Sequence, residues 1–115
     1  MPRELIERVE SAEPEDQAEL LGEAWDALAK TKMEFRRFAM GNAGKFSLLV
    51  DAEAFESAAM MMVPQSGYFY LRLENQNVDG DRWTADVSFE DGRDATCSTA
   101  ALAILSASLK EWTDA

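Results

Sequence analysis

"YFYLRLE" (residues 68–74) and "RWTADVSF" (residues 82–89) decide the fold class of this chain. In the first, Phe69, Leu71 and Leu73 alternate with Tyr68, Tyr70, Arg72 and Glu74; in the second, Trp83, Ala85, Val87 and Phe89 alternate with Thr84, Asp86 and Ser88. A period of two places each set on its own side of a pleated backbone, so both segments read as strands with one apolar face. Asp79-Gly80 supplies turn chemistry between them, and Asp91-Gly92 separates Phe89 from the short segment "RDATC" (residues 93–97). An antiparallel meander of three strands follows.

On either side of this block the period lengthens to that of a helix. In "MPRELIERVE" (residues 1–10) Leu5, Ile6 and Val9 share a side, Pro2 suits a first turn, and Glu4 stands four residues before Arg8, which predicts a short helix. A second is predicted in "SAEPEDQAELLGEAWDALAKTK" (residues 11–32), with Pro14 at its start, Glu15 and Asp16 on the positive end of its dipole, and Leu21, Trp25 and Leu28 as its stripe. "VDAEAFESAAMMMVP" (residues 50–64) predicts a third, capped by Asp51, with Phe55, Ala58 and Met62 at helical spacing, Met60 and Met61 off that face, and Pro64 beyond the end. In "STAALAILSASLKEW" (residues 98–112) Ser98 or Thr99 caps a last helix packing through Leu102, Leu105, Leu109 and Trp112, while Ala100, Ala103 and Ala107 let its axis approach a sheet closely. Residues 30–46 fit neither period: Met33, Phe35 and Arg37 alternate with Glu34, Arg36 and Phe38, which suits a strand or a continuation of the second helix. Gly41, Asn42 and Gly44 predict a turn at 41–44.

Composition narrows the chemistry. A chain of 115 residues, 47% apolar and 29% charged, suits a single globular domain over residues 1–115. No run approaches the ~20 apolar residues of a membrane span, and the charged N-terminus lacks a secretion signal, so a cytoplasmic location is expected. Cys97 is the one cysteine and alternates with Ala95, which marks a small core residue. The chain has no histidine; serine–histidine and cysteine–histidine hydrolysis are excluded, and the commonest metal ligand is missing. "AMGNAGKF" (residues 39–46) fails as a phosphate loop, because Ala39 replaces the first glycine and Phe46 the magnesium-binding hydroxyl. No enzyme, cofactor or metal is expected.

"FSLLVDAEAFESAAMMMVPQSGYFY", "WTADV" and "STAALAILSASL" resemble the phage ABA sandwich domain, as does the opening helix "LIERVESAE". The resemblance rests on Phe46 and Ser47 before Asp51, on the turn Val63-Pro64-x-x-Gly67-Tyr68, and on the order of elements, over roughly residues 4–24 and 46–110. Family members often carry a proline after the last helix cap, where this chain has Ala100. The resemblance implies a phage origin and an α+β fold, a three-layer α/β/α sandwich with a small antiparallel sheet and helices at both ends of the chain. It implies no activity and no functional residues.

The charge distribution is the strongest functional signal. Lys30, Lys32, Arg36, Arg37 and Lys45 against Glu34 leave residues 30–46 at +4, between flanks at −7 and −8, in a chain of net charge −11. Such a segment can attract anions locally, since fields beyond about 10 Å are screened at ~0.1 M salt. Pairing with the chain's own acids is the competing fate, each exposed pair contributing about 0–1 kcal/mol. Tyr68, Tyr70 and Arg72 on the polar side of the first strand can add base stacking, about 1–3 kcal/mol per base, if the two surfaces meet; if helices cover both sheet faces, the tyrosines are core.

The expectation is a non-enzymatic phage binding protein that sequesters an anionic, nucleotide-like small molecule, as in counter-defence. The rival is an acidic module that blocks a host protein by mimicking nucleic-acid phosphates, through Glu10, Glu13, Glu15, Asp16, Glu19, Glu23 and Asp26 or through Asp79, Asp81, Glu90, Asp91 and Asp94. A structural role in the phage particle is a third reading. Net charge disfavours direct DNA binding, and "DVSFEDGRD" lacks calcium-loop spacing. Self-association into a homo-oligomer is expected through Met60, Met61 or the last helix.

Overall fold

A computed structural model of the chain describes residues 3–64, 72–76, 82–87 and 94–114. Helix α1 (Arg3–Glu10) buries Leu5, Ile6 and Val9, the stripe its spacing predicts. A 3-10 turn at Pro14–Asp16 opens helix α2 (Gln17–Thr31). Its entry is held by a reciprocal cap in which Glu13 N donates to Asp16 Oδ2 at 3.1 Å, satisfying backbone donors that a helix start leaves open. Leu20, Leu21, Ala24, Trp25 and Leu28 form the buried side of α2.

Lys32 leaves helical geometry (φ −120°, ψ 111°), and helix α3 (Met33–Asp51) begins at once and runs for 19 residues. The turn expected at 41–44 does not form; Gly41, Asn42 and Gly44 are helical. Phe35, Ala39 and Phe46 recur at helical steps as one buried stripe, and Trp25 fixes it from α2. The indole stacks on Phe46, with centroids 4.1 Å apart and planes at 18°, and meets Phe35 edge-on at 4.9 Å. Asn42, read as a turn residue, folds its side chain back to donate to Phe38 O at 2.8 Å.

Asp51 closes α3 instead of capping the next helix. Glu53 N donates to Val50 O at 3.0 Å and Ala54 N to Leu49 O at 2.8 Å, the paired bonds by which a left-handed residue ends a helix. That residue is Glu53, at φ 59°. Helix α4 (Phe55–Met60) is correspondingly shorter than expected and buries Ala58 and Ala59, with Met62 and Val63 buried just after it.

Strands β1 (Arg72–Gln76), β2 (Arg82–Asp86) and β3 (Ala95–Cys97) form an antiparallel sheet in the order β1-β2-β3, the meander that the alternation predicts. Leu73 lies opposite Ala85, which lies opposite Ala95, and Trp83 lies opposite Cys97; these residues make the apolar face. The other face is polar. Thr84 and Thr96 share a hydroxyl hydrogen bond at 2.8 Å, Arg82 Nη2 donates to Thr96 O at 3.2 Å, and Glu74, Arg82 and Thr96 are exposed.

Helix α5 (Ala100–Asp114) completes a mixed α+β fold. Its cap is Thr99, whose Oγ1 accepts from Leu102 N at 3.2 Å and donates to Gln17 Oε1 at 2.9 Å. The sequence places one packing stripe on this helix, but every residue from Ala100 to Leu109 is buried. The sheet covers one side of α5, while α1, α2 and α4 cover the rest. Trp112 Nε1 donates to Met62 O at 2.8 Å, and Lys110 Nζ bridges Glu10 Oε2 at 2.8 Å and Asp94 O at 3.0 Å. Helix α3 packs mainly on α2 and α4 and reaches α5 at its end, where Phe35 meets Trp112 edge-on with centroids 6.0 Å apart. Among the described residues no helix is long and apolar enough to cross a membrane.

Two stability changes are expected. Trp25→Ala removes the ring that joins α2 to α3 and should lower unfolding free energy by about 3–5 kcal/mol. Glu53→Gly relieves the left-handed strain and should raise it by about 0.5–1 kcal/mol; urea denaturation of the two variants checks both.

Candidate binding face of helix α3

At about 100° per residue, the stripe of Phe35, Ala39 and Phe46 fixes what the opposite side of α3 presents. That side carries Met33, Arg37, Met40, Gly44, Leu48 and Asp51, while Lys45 lies toward its edge. Met33 is 61% exposed, Met40 82% and Leu48 70%. A Cβ placed on Gly41 or Gly44 meets no atom within 4 Å, so the backbone itself is accessible between the larger side chains. Phe38 sits at the edge of this face, with its ring 6.1 Å from that of Trp25.

The cations singled out in the sequence meet different fates. Arg36 turns back onto α2, where Nε donates to Ala29 O at 2.7 Å and Nη2 to Lys30 O at 2.9 Å. It thereby satisfies carbonyls that the end of α2 leaves open, at the negative end of that helix. Lys30 closes α2 and Lys32 lies in the corner between the helices. Arg37 and Lys45 are exposed and make no hydrogen bond or ion pair among the described residues. Lys45 stands eight residues beyond Arg37, about 12 Å along the axis. The five residues therefore form a corner cluster and an extended face instead of a single anion cradle.

Tyr68 and Tyr70 lie outside the described residues, as does the side chain of Arg72, whose backbone starts β1 opposite Asp86. β1 packs on β2 and α5, and α3 on α2 and α4. The N-terminal acids of the rival reading are partly engaged within the chain. Arg8 grips Glu23 through two hydrogen bonds, at 3.1 and 2.6 Å, and that bond together with the Glu23 charge raises the pKa of Arg8. Glu10 holds Lys110, and Asp16 caps the turn before α2. Glu15, Glu19 and Asp26 are exposed; of the second acidic group, only Asp94 falls among the described residues. A cleft of about 260 Å³ between α1 and α2 is lined by Arg8, Ser11, Ala12, Asp16, Glu19 and Leu20, and its one cation already serves Glu23.

Cys97 is fully buried beneath α5. Burial, assisted by the charge of Glu10, pushes its thiol pKa up to about 12. The neutral thiol is a poor nucleophile, in keeping with a packing role.

The exposed apolar line on α3 is the feature that residue-by-residue reading missed. Reading residues 33–48 at a helical period places Met33, Met40 and Leu48 opposite Phe35, Ala39 and Phe46; assigning a turn to 41–44 broke that continuity. Among known proteins, no family model, curated protein or solved structure matches the chain.

The buried thiol gives a pH expectation. The folded state holds the Cys97 proton more tightly than the unfolded chain does, so this residue's contribution to stability is full below about pH 9 and declines as pH rises toward 12. Native protein should resist a maleimide at pH 7.5 while denatured protein reacts within minutes, as mass spectrometry would show.

Proposed function

We propose that this chain is a non-enzymatic binding protein and that the outer face of α3 holds an anionic partner. One observation carries the reading: Arg37 and Lys45 stay exposed and make no ion pair among the described residues, in a chain of net charge −11, on the helix that displays Met33, Met40 and Leu48. Fully covering each of those apolar side chains contributes about 1.5–3 kcal/mol. Cation and apolar side chain along one helix suit a broad surface. A nucleotide-sized ligand calls for a concave site that encloses most of it, whereas Arg37 and Lys45 project from the convex side of a helix. The likeness to phage ABA sandwich domains supports a phage setting and action in the host cytoplasm.

Two-dimensional NMR with poly-L-glutamate, a cyclic dinucleotide and duplex DNA as separate probes tests the assignment. Poly-L-glutamate should shift the amides of residues 33–48 in a saturable way, and Arg37→Glu/Lys45→Glu should weaken that binding about tenfold or more. Unchanged binding by the double variant, or shifts confined to the sheet, would refute it.

A further inference from the structure

The outer line of α3 reads the same in both directions. Arg37, Met40, Gly44, Leu48 and Asp51 follow one another at steps of three, four, four and three residues, the spacing at which helices lying along each other meet. A cation stands at the N-terminal end of the line, an anion at the C-terminal end, an apolar side chain inside each, and a glycine in the middle. Met40 and Leu48 are the most exposed large apolar side chains among the described residues. Arg37 and Asp51 are exposed too, and make no hydrogen bond or ion pair among those residues. Such a line is complementary to itself run backwards.

We infer that the partner is a second copy of the chain, docked through α3 in an antiparallel pair that crosses at Gly44. The inference rests on the outer side of α3 being the binding face, and a chain of net charge −11 is itself an anionic partner. About a two-fold axis at Gly44, Arg37 of each copy faces Asp51 of the other, Met40 faces Leu48, and Gly41 faces Ser47. Because Gly44 has no side chain and the space above it is open, the two backbones can come closer than the usual separation of about 8–10 Å between helix axes. That approach brings Met40 against Leu48 on both sides of the crossing. The paired stretch, residues 37–51, is about 21 Å long. Helix dipoles favour the same arrangement: Asp51 closes its own α3 at the negative end and comes to lie along the N-terminal half of the other α3, while Arg37 comes over the other helix's carbonyl end.

Other registers and occupants fit less well. Crossing at Gly41 sets Arg37 of one copy against Lys45 of the other, and a parallel pair sets Arg37 against Arg37 and Asp51 against Asp51; like charges repel in both. An acidic helix from another protein meets Asp51 as well as Arg37, and a basic one meets Arg37 as well as Asp51, whereas a second copy supplies both signs in the required order. Lys45 lies about 100° round from Gly44, outside the seam, so the two copies of it share one edge and extend apart into water. Repulsion between two bodies of net charge −11 is screened beyond about 10 Å, which leaves the contacts along the seam to decide. This seam replaces α5 as the surface for self-association, since α5 is buried from Ala100 to Leu109. A single helix pair falls at or below the small end of the ~1,200–2,000 Å² buried in stable complexes, so the dimer is a weak and reversible one.

Sedimentation equilibrium of the intact chain, from about 1 μM to about 1 mM, tests the inference. Wild type should show a reversible monomer–dimer equilibrium. Arg37→Glu sets acid against acid and Asp51→Arg sets cation against cation, so each variant alone should dimerise about tenfold or more weakly. An equimolar mixture of the two should recover association as a heterodimer, because both pairs then carry opposite signs. Both side chains are exposed, and arginine suits the last turn of a helix, so the melting temperatures of the dilute variants should stay level. Gly44→Leu places a side chain at the crossing and should abolish the dimer while the dilute monomer melts at the same temperature or higher, which separates lost docking from lost folding. A monomer at every concentration, a dimer that Gly44→Leu leaves unchanged, or weakened variants that do not recover on mixing overturn the pair. If the chain stays monomeric while poly-L-glutamate shifts the amides of α3, the second copy alone fails; if it stays monomeric and poly-L-glutamate leaves α3 unmarked, the binding face fails with it.

Discussion

The fold hangs on a helix with no wet side. From Ala100 to Leu109 every residue of α5 is buried, so neighbours must approach from all directions, and the sequence permits this through Ala100, Ala101, Ala103 and Ala107 between Leu102, Ile104, Leu105 and Leu109. Small residues let the sheet and the helices come close; the branched ones fill the gaps that remain. Buried hydroxyls are the exception to this apolar filling. Ser108 returns its proton to Ile104 O at 2.7 Å, whereas Ser106 Oγ has no partner among the described residues. Hydrogen bonds then orient the surrounding elements: Ser98 to Ala12 O, Thr99 to Gln17 and Lys110 to Glu10 each tie an end of α5 to the first 17 residues.

Helix α3 lies at the margin of that centre, touching α5 through Phe35 and Trp112, and one of its sides stays exposed. It is held mainly through Trp25, on which Phe35 and Phe46 close from two directions. The magnitudes explain why glycines do not break it. Gly41 and Gly44 each cost a helix about 1 kcal/mol relative to alanine, while burying Phe35 and Phe46 contributes about 1.5–3 kcal/mol apiece and each aromatic pairing about 0.5–1.5 kcal/mol more. Only one side of α3 is consumed in this way. The other keeps Met33, Met40 and Leu48 in water.

Legibility in the sequence tracked how local each determinant is. Strand alternation and the stripes of α1 and α2 are visible because a period survives whatever packs against it. The helix through 41–44 and the end of α3 at Asp51 are not legible for the opposite reason: glycine and aspartate tolerate a turn or a cap locally, but Trp25, some 20 residues away, selects the helix. The excess positive charge of residues 30–46 could be counted from composition, yet the commitment of Arg36 to Ala29 O and Lys30 O depends on the corner at Lys32, which no short-range pattern announces. Arg37, its immediate neighbour, points away from that corner and remains exposed. Adjacent residues of one type thus divide between structure and surface according to where the helix turns them.

The overall charge shapes how such a face would work. A partner rich in carboxylates meets a molecule of net charge −11, so the field at a distance opposes encounter, and attraction from Arg37 and Lys45 takes over only within about a Debye length, ~8–10 Å in physiological salt. Added salt therefore acts in opposite senses: it screens the long-range repulsion that slows association and weakens the short-range pairs that hold the complex. Burial of Met33, Met40 and Leu48 is indifferent to that screening at moderate ionic strength. On the proposed reading, the apolar side chains would supply the persistent part of the affinity, while the two cations would select the sign of the partner. On the same reading, polyanions that lack an apolar row would be disfavoured, because they meet the repulsion without the compensating burial.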